Sequence, residues 1–206
     1  MCIRDRYTYD RAMIRNTFIF ELSNQIGRYA SRTRFVELYA NFNNAELEER
    51  DYLGVYVLEE NIKADENRVD IPRLSPNQNS EPDLTGGYIF KVDRSGSTEA
   101  EFKTLRYSYV IAEPAADDIT TEQQTYLTDY VVDLETALYG NDFTDPSLGY
   151  KAFLNVGPTI DHHILRFLTN IVDHFQLSTH FVKHRNGKVC LLYTSDAADE
   201  RSSVDL

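Results

Sequence analysis

Asn186 and Gly187 separate "THFVKH" (179–184) from "KV" (188–189). An Asn-Gly pair between apolar-patterned runs is the strongest short-range signal for a tight β-hairpin, because both residues tolerate the positive φ that a type I′ turn demands. The pair therefore commits this part of the chain to antiparallel strands. Just upstream, Pro158 and Thr159 open a helical pattern with Ile160, Ile164, Leu168 and Ile171 in one inward row. The apolar pattern stops at Asp173. A carboxylate thus stands where a helix leaves off and a hairpin is about to begin, on a loop held by regular elements, and such loops carry much of protein chemistry.

The rest of the chain reads as alternating helix and strand. Asp10 caps a helix over 10–26 with Ile14, Phe18, Leu22 and Ile26 inward and Gly27 as its stop. "TRFVELY" (33–39) and "LGVYVLEE" (53–60) have the β-branched and aromatic content of strands. Residues 63–86 are polar and contain Pro72, Pro76 and Pro82, which reads as a long loop. "GYIFKV" (87–92) is a short strand, "DRSGSTEAE" a turn, and "LRYSYVIAEP" (105–114) extended. Thr120 with Gln123, and Thr121 with Gln124, have capping-box spacing. Leu127, Tyr130, Val131, Leu134 and Leu138 then form a helical stripe. The order of helix, strands, loop, strands, two helices and hairpin defines an α+β chain.

Composition excludes several classes. The net charge of -12 over 206 residues disfavours nucleic acid and anionic membrane, which both need a basic patch. No run of about 18 apolar residues is present to span a bilayer. Cys2 and Cys190 fit no metal-ligand spacing. Both lie in ends that resemble translated sequencing-adapter read-through, a contaminant of assembled metagenomic genes: "MCIRDR", and "CLLYTSDAADERSSVDL" from position 190. Residues 1–6 and 190–206 are therefore expected to add little to the core, which leaves 7–189 as the domain.

Several blocks in order carry a family resemblance. "IRNTFIFELSNQIGRYASRTRFVELYAN", "LGVYVLEENIKADENRVDI", "GGYIFKVDR", "EQQTYLTDYVVDLETAL" and "IDHHILRFLTNIVDHFQLSTHFVKHRNGKV" resemble the CotH kinase family, the spore-coat-protein-H-like proteins. The resemblance covers essentially all of 7–189. It implies an atypical protein-kinase-like fold, incomplete at both ends here, and transfer of phosphate from ATP, with Mg2+, to Ser/Thr of a protein substrate. It also implies an extracytoplasmic or cell-surface setting for the parent. On the kinase plan the 10–26 helix packs beside the first strands, and Glu60, Asn61 and Ile62 form the hinge that meets adenine through backbone groups. Asp173 is the catalytic carboxylate. Ser178 stands where kinases carry a metal-binding Asn, five residues after that Asp. The family's Trp-Asp-Phe-Asp-like stretch behind the hairpin, which supplies a metal-binding Asp, is replaced by the adapter-like tail, and the phosphate-facing Lys/Arg strand is absent at the front. The fragment is therefore expected to be inactive.

Plainer readings stand beside these. Asp173 on its own reads as a solvated helix-end residue, and Glu60 reads equally as an exposed strand-end charge. The five histidines, His162, His163, His174, His180 and His184, lack HExxH or HxH spacing and read as structural or surface residues. Gly86-Gly87 leads into a strand, which makes a poor phosphate loop, and Asp93-Arg94 reads as a turn. The alternative to phosphotransfer is a non-catalytic kinase-like scaffold of a surface or coat protein.

Overall fold

The structure is a computed structural model that describes residues 14–93, 96, 98–169 and 179–193, together with the backbone of 2–4. It contains α-helices and antiparallel sheets, and it divides into two compact units between Asn61 and Ile62.

In the first unit, α1 (Arg15–Gln25) precedes β2 (Thr33–Tyr39) and β3 (Tyr52–Glu59), which are antiparallel neighbours as expected. The Asp10 cap lies outside the described residues. Gly27, at φ 78°, ends the helix as its sequence position predicts. Cys2–Arg4, expected to add little, forms β1 on the other side of β3, with Cys2 opposite Glu59. The buried face of α1 differs from the expected row. Ile14, Phe18 and Ile26 are exposed, and Ile19, Phe20 and Ser23 are buried. At about 100° per residue the buried set 19-20-23 is centred about 130° around the helix from the row 14-18-22-26, so α1 buries a different side from the one its apolar spacing marks.

The second unit is built on a five-stranded antiparallel sheet in the order β5-β6-β4-β7-β8. Its strands are β4 (Tyr88–Val92), β5 (Ala100–Lys103), β6 (Ser108–Glu113), β7 (Thr179–Lys183) and β8 (Val189–Leu191). β5 was read as the end of a turn. "STEAE" lacks apolar alternation, and Phe102 is its one fully inward side chain. The long loop at 63–86 contains a parallel bridge, Ala64 to Val69, and a 3-10 turn at Asp83–Thr85.

Helix α2 (Thr121–Tyr139) covers one sheet face. Thr120 caps it, with the Gln123 N–H donating to Thr120 Oγ1 at 3.3 Å and the Thr120 N–H to Gln123 Oε1 at 3.2 Å. Leu127 and Val131 pack onto Tyr88, Phe90, Phe102, Tyr109 and Ile111. The aromatic rings stack, Phe90 on Phe181 at 5.1 Å and Phe102 on Tyr109 at 5.0 Å between centroids. Aromatic pairs at these spacings add to their burial energy.

Helix α3 (Val156–Thr169) corrects a second expectation. Ile160, Ile164 and Leu168 are exposed, and the inward row is His162, Leu165 and Arg166. Ile171 lies outside the described residues. The far end of the chain differs too. Cys190 and Leu191 lie in β8, and Leu192 and Tyr193 are buried. Residues 190–193 therefore do belong to the core, because β7 needs a neighbour for its backbone groups and β8 supplies it.

The hairpin forms, but not with a two-residue turn. Five residues, His184–Lys188, connect Lys183 to its partner Val189. Asn186 alone has positive φ (53°), and the Gly187 N–H donates to His184 O at 3.0 Å. The cause is tertiary. The Asn186 N–H donates to Thr85 Oγ1 at 2.9 Å, and a Cβ on Gly86 would come within 2.1 Å of the Arg185 nitrogen. The loop is shaped by the segment it rests on.

Candidate functional site

Asp173 and Ser178, expected as catalytic and metal-site residues, lie outside the described residues, as does His174. The elements on either side of them are described. On the near side, α3 directs His162, Arg166 and Thr169 along one face, at i, i+4 and i+7. Arg166 is 1% exposed and His162 2%. Tyr193 faces them: its ring is 5.7 Å from the His162 ring, and its hydroxyl is 3.2 Å from Thr169 Oγ1. Burial raises the Tyr193 phenol pKa, while the Thr169 hydrogen bond and the Arg166 charge pull it back down. The guanidinium therefore acts on the same buried layer.

On the far side, β7 begins at Thr179, the first residue after Ser178. Thr179 is opposite Val92, and His180 opposite Lys91. Thr179 Oγ1 is buried without a hydrogen bond among the described residues. Lys91 is buried in a strand whose other members are apolar or aromatic. Its Nζ lies 3.3 Å from Asp93 Oδ2 and 3.5 Å from Glu99 Oε1. Glu99 in turn accepts the Gly96 N–H at 2.6 Å, which closes the turn after β4. Asp93, read as a turn residue, is thus a buried ion-pair member.

At the other end of β7, Lys183 is 1% exposed. Its Nζ donates to Thr85 O at 2.6 Å and to His184 O at 3.1 Å. Burial lowers its pKa to about 8. Burying charge is costly, and apolar replacements of buried ion pairs are often as stable or more so. Stability alone is therefore a poor reason for Lys91, Asp93 and Arg166 at these positions. Sequence reading missed all of them. The available signal was a lysine inside "YIFKV", a run otherwise fit for a fully buried strand.

The expected hinge is less concentrated. Glu60 is paired with Arg32, whose Nε lies 3.1 Å from Glu60 Oε2, and the Glu60 N–H donates to Arg32 O at 2.9 Å. The Tyr29 hydroxyl is 3.5 Å from the same carboxylate. Asn61 is exposed and Ile62 half-buried. Glu60 is therefore a strand-end residue that ties β3 to the start of β2. Gly86 and Gly87 serve close packing: a Cβ on Gly87 would meet Pro72 O at 2.5 Å.

Among the described residues, no group of three or more His, Cys, Asp or Glu side chains could hold a metal ion. No described helix is long and apolar enough to cross a membrane. A model of the family described as "CotH kinase protein" matches residues 5–195. Neither the curated proteins nor the solved structures contain a match.

Proposed function

The chain belongs to the CotH kinase family, and from that premise we propose that its intact parent transfers phosphate from ATP to Ser/Thr hydroxyls of a protein substrate, on a protein-kinase-like fold, with Asp173 as the catalytic carboxylate. One observation supports this reading. Along the chain, buried His162 and Arg166 and half-buried Thr169 precede Asp173, and buried Thr179 follows it on a strand paired with β4, which leads into the buried Lys91–Asp93 pair. Burying ionisable groups is costly, so their retention on the elements that flank Asp173 in sequence supports a functional reading.

In this reading Asp173 accepts the proton of the acceptor hydroxyl as that oxygen bonds to the γ-phosphorus. The bond from phosphorus to the β-phosphate bridging oxygen breaks, and ADP leaves. Glu60 commits its N–H and its side chain to Arg32, so the adenine contact falls to Asn61 and Ile62. Mg2+ would supply charge neutralisation at the phosphates. The described residues do not make a metal site by themselves, and no step here is assigned to the ion. Ser178, a poorer metal ligand than an amide, favours the second reading, a non-catalytic scaffold of a surface or coat protein.

The test is phosphate transfer from radiolabelled ATP to a Ser/Thr-rich protein, with the native flanking sequence restored. Asp173→Asn should keep the fold and nucleotide binding and lose about 10²–10⁴ in rate, the usual share of general-base assistance. Wild-type transfer by Asp173→Asn would remove Asp173 from the catalytic role. No transfer by the restored parent would favour the scaffold.

A further inference from the structure

Lys183 is a buried amine, and among the described residues no carboxylate is in ion-pair reach of it; the nearby Asp83 is engaged with Arg185 at 2.8 Å. Its surroundings are two carbonyls, Thr85 O and His184 O, and two rings, Tyr130 with its centroid 4.5 Å from Nζ and Tyr126 at 5.9 Å. The same place fastens two loops together. The Gly87 N–H donates to Lys183 O at 2.9 Å, the Asn186 N–H to Thr85 Oγ1 at 2.9 Å, and the Tyr88 hydroxyl to Leu84 O at 2.9 Å. Gly86 lies against the backbone of His184 and Arg185.

A neutral amine has two N–H donors, and two carbonyls receive them. An ammonium has three, and the third finds only the face of Tyr130. That ring contact offsets part of the burial penalty of the charge, but an ammonium in water has all three donors satisfied and keeps its hydration. We propose that Asp83–Gly87 and His184–Lys188 form a proton-linked clasp, which closes over neutral Lys183 and opens as the amine takes up a proton and moves to water.

The sign follows from linkage. The closed state holds the Lys183 pKa near 8, while an open, solvated lysine has 10.5. The open form binds more protons between these values, so closing strengthens as pH rises from about 8 to about 10.5 and changes little below 8. Other groups facing the clasp titrate elsewhere. His184 is pushed below its usual value by burial and then by the Lys183 charge, with Asp70 opposing. Tyr88, Tyr126 and Tyr130 are all raised above 10, chiefly by burial. Asp83 and Arg185 face the clasp as an ion pair at 2.8 Å. Since β7 runs from Thr179 to Lys183, the clasp fixes the far end of the strand that follows Asp173 and Ser178. That consequence rests on the proposed site; the clasp itself does not.

The experiment uses the whole chain and reads no phosphotransfer, so its failure is distinct from failure of the kinase reading. Lysine side-chain amines are titrated by NMR, and amide exchange is followed at pH 7 and pH 9.5 with the intrinsic rate removed. One lysine should titrate near pH 8 and vanish in Lys183→Met. Opening that exposes the Gly87 and Asn186 amides should become about 30-fold rarer from pH 7 to pH 9.5, and the variant should show no such change. If Lys183 titrates with the surface lysines near pH 10.4, or if native protection is flat with pH, the clasp is wrong. The native titration and exchange decide the matter even if Lys183→Met does not fold.

Discussion

Gly86→Ala isolates close packing from backbone strain. Gly86 has φ -176°, an extended conformation that any residue adopts, so alanine carries no conformational penalty there. The added Cβ meets the Arg185 nitrogen at 2.1 Å, the His184 carbonyl carbon at 2.3 Å and Arg185 Cα at 2.4 Å. All three are backbone atoms, and no side-chain rotation relieves the overlap. Overpacking typically costs 1–3 kcal/mol, and a wholly backbone clash should lie at the top, about 3 kcal/mol. With a urea slope of about 2 kcal/mol per molar, the unfolding midpoint should fall by about 1.5 M. Gly27→Ala is the complementary control. Its Cβ would meet nothing within 4 Å, but φ is +78°, so only the left-handed penalty of about 1–2 kcal/mol applies. A midpoint for Gly86→Ala within about 0.3 M of the parent, one-fifth of the expected shift, would refute the close approach of 83–87 to the hairpin loop.

Other outcomes follow from single contacts. Thr120→Ala should cost about 1 kcal/mol in urea unfolding, and Thr120→Ser much less, because the cap needs only the hydroxyl. Arg32→Ala should cost about 1–3 kcal/mol in urea unfolding: the arginine side chain is 66% exposed, but its loss strips a partner from a Glu60 side chain that is only 9% exposed. In a thermal or urea series against pH, stability should rise from pH 8 to about 10 by up to about 2 kcal/mol, as the Lys183 burial penalty is relieved. Above that it should fall, because the Tyr88, Tyr109 and Tyr130 phenols have folded pKa values above their unfolded 10.0, with Tyr130 at about 12, so their contribution is present below pH 10 and lost as pH rises through the folded values. Absorbance of tyrosinate should then appear together with unfolding rather than before it.

Local signals were read well where one short stretch decides the outcome. The Thr120–Gln123 box starts α2 because both of its bonds lie within four residues. The pairing of β2 with β3 followed from two apolar runs close in sequence. Signals failed where a distant segment decides. The Asn-Gly turn depends on Thr85 and Gly86, about a hundred positions away. β5 exists because β6 offers it an edge, and its own residues hardly ask for a strand. The α1 row failed as well: the helix buries Ile19, Phe20 and Ser23, on another side from the apolar four-residue spacing.

The inversion of α3 has a different character. Its exposed row, Ile160, Ile164, Phe167 and Leu168, is the more apolar one, while the inward row contains an arginine and a histidine. Maximising apolar burial would turn the helix the other way. The inward row instead meets Tyr193, whose ring lies 5.7 Å from the His162 ring and whose hydroxyl is 3.2 Å from Thr169 Oγ1. Lys91 in β4 breaks the same rule, buried opposite His180 of β7. Two independent elements thus bury ionisable side chains against their apolar patterning. Sequences depart from locally consistent patterning chiefly at functional or strained sites. The sequence marks Asp173 as a candidate, and that position lies outside the described residues. The sequence could not reveal that Lys91, His162 and Arg166 are buried, since each is a single polar residue within an apolar-patterned element and its burial is decided by packing partners distant in sequence.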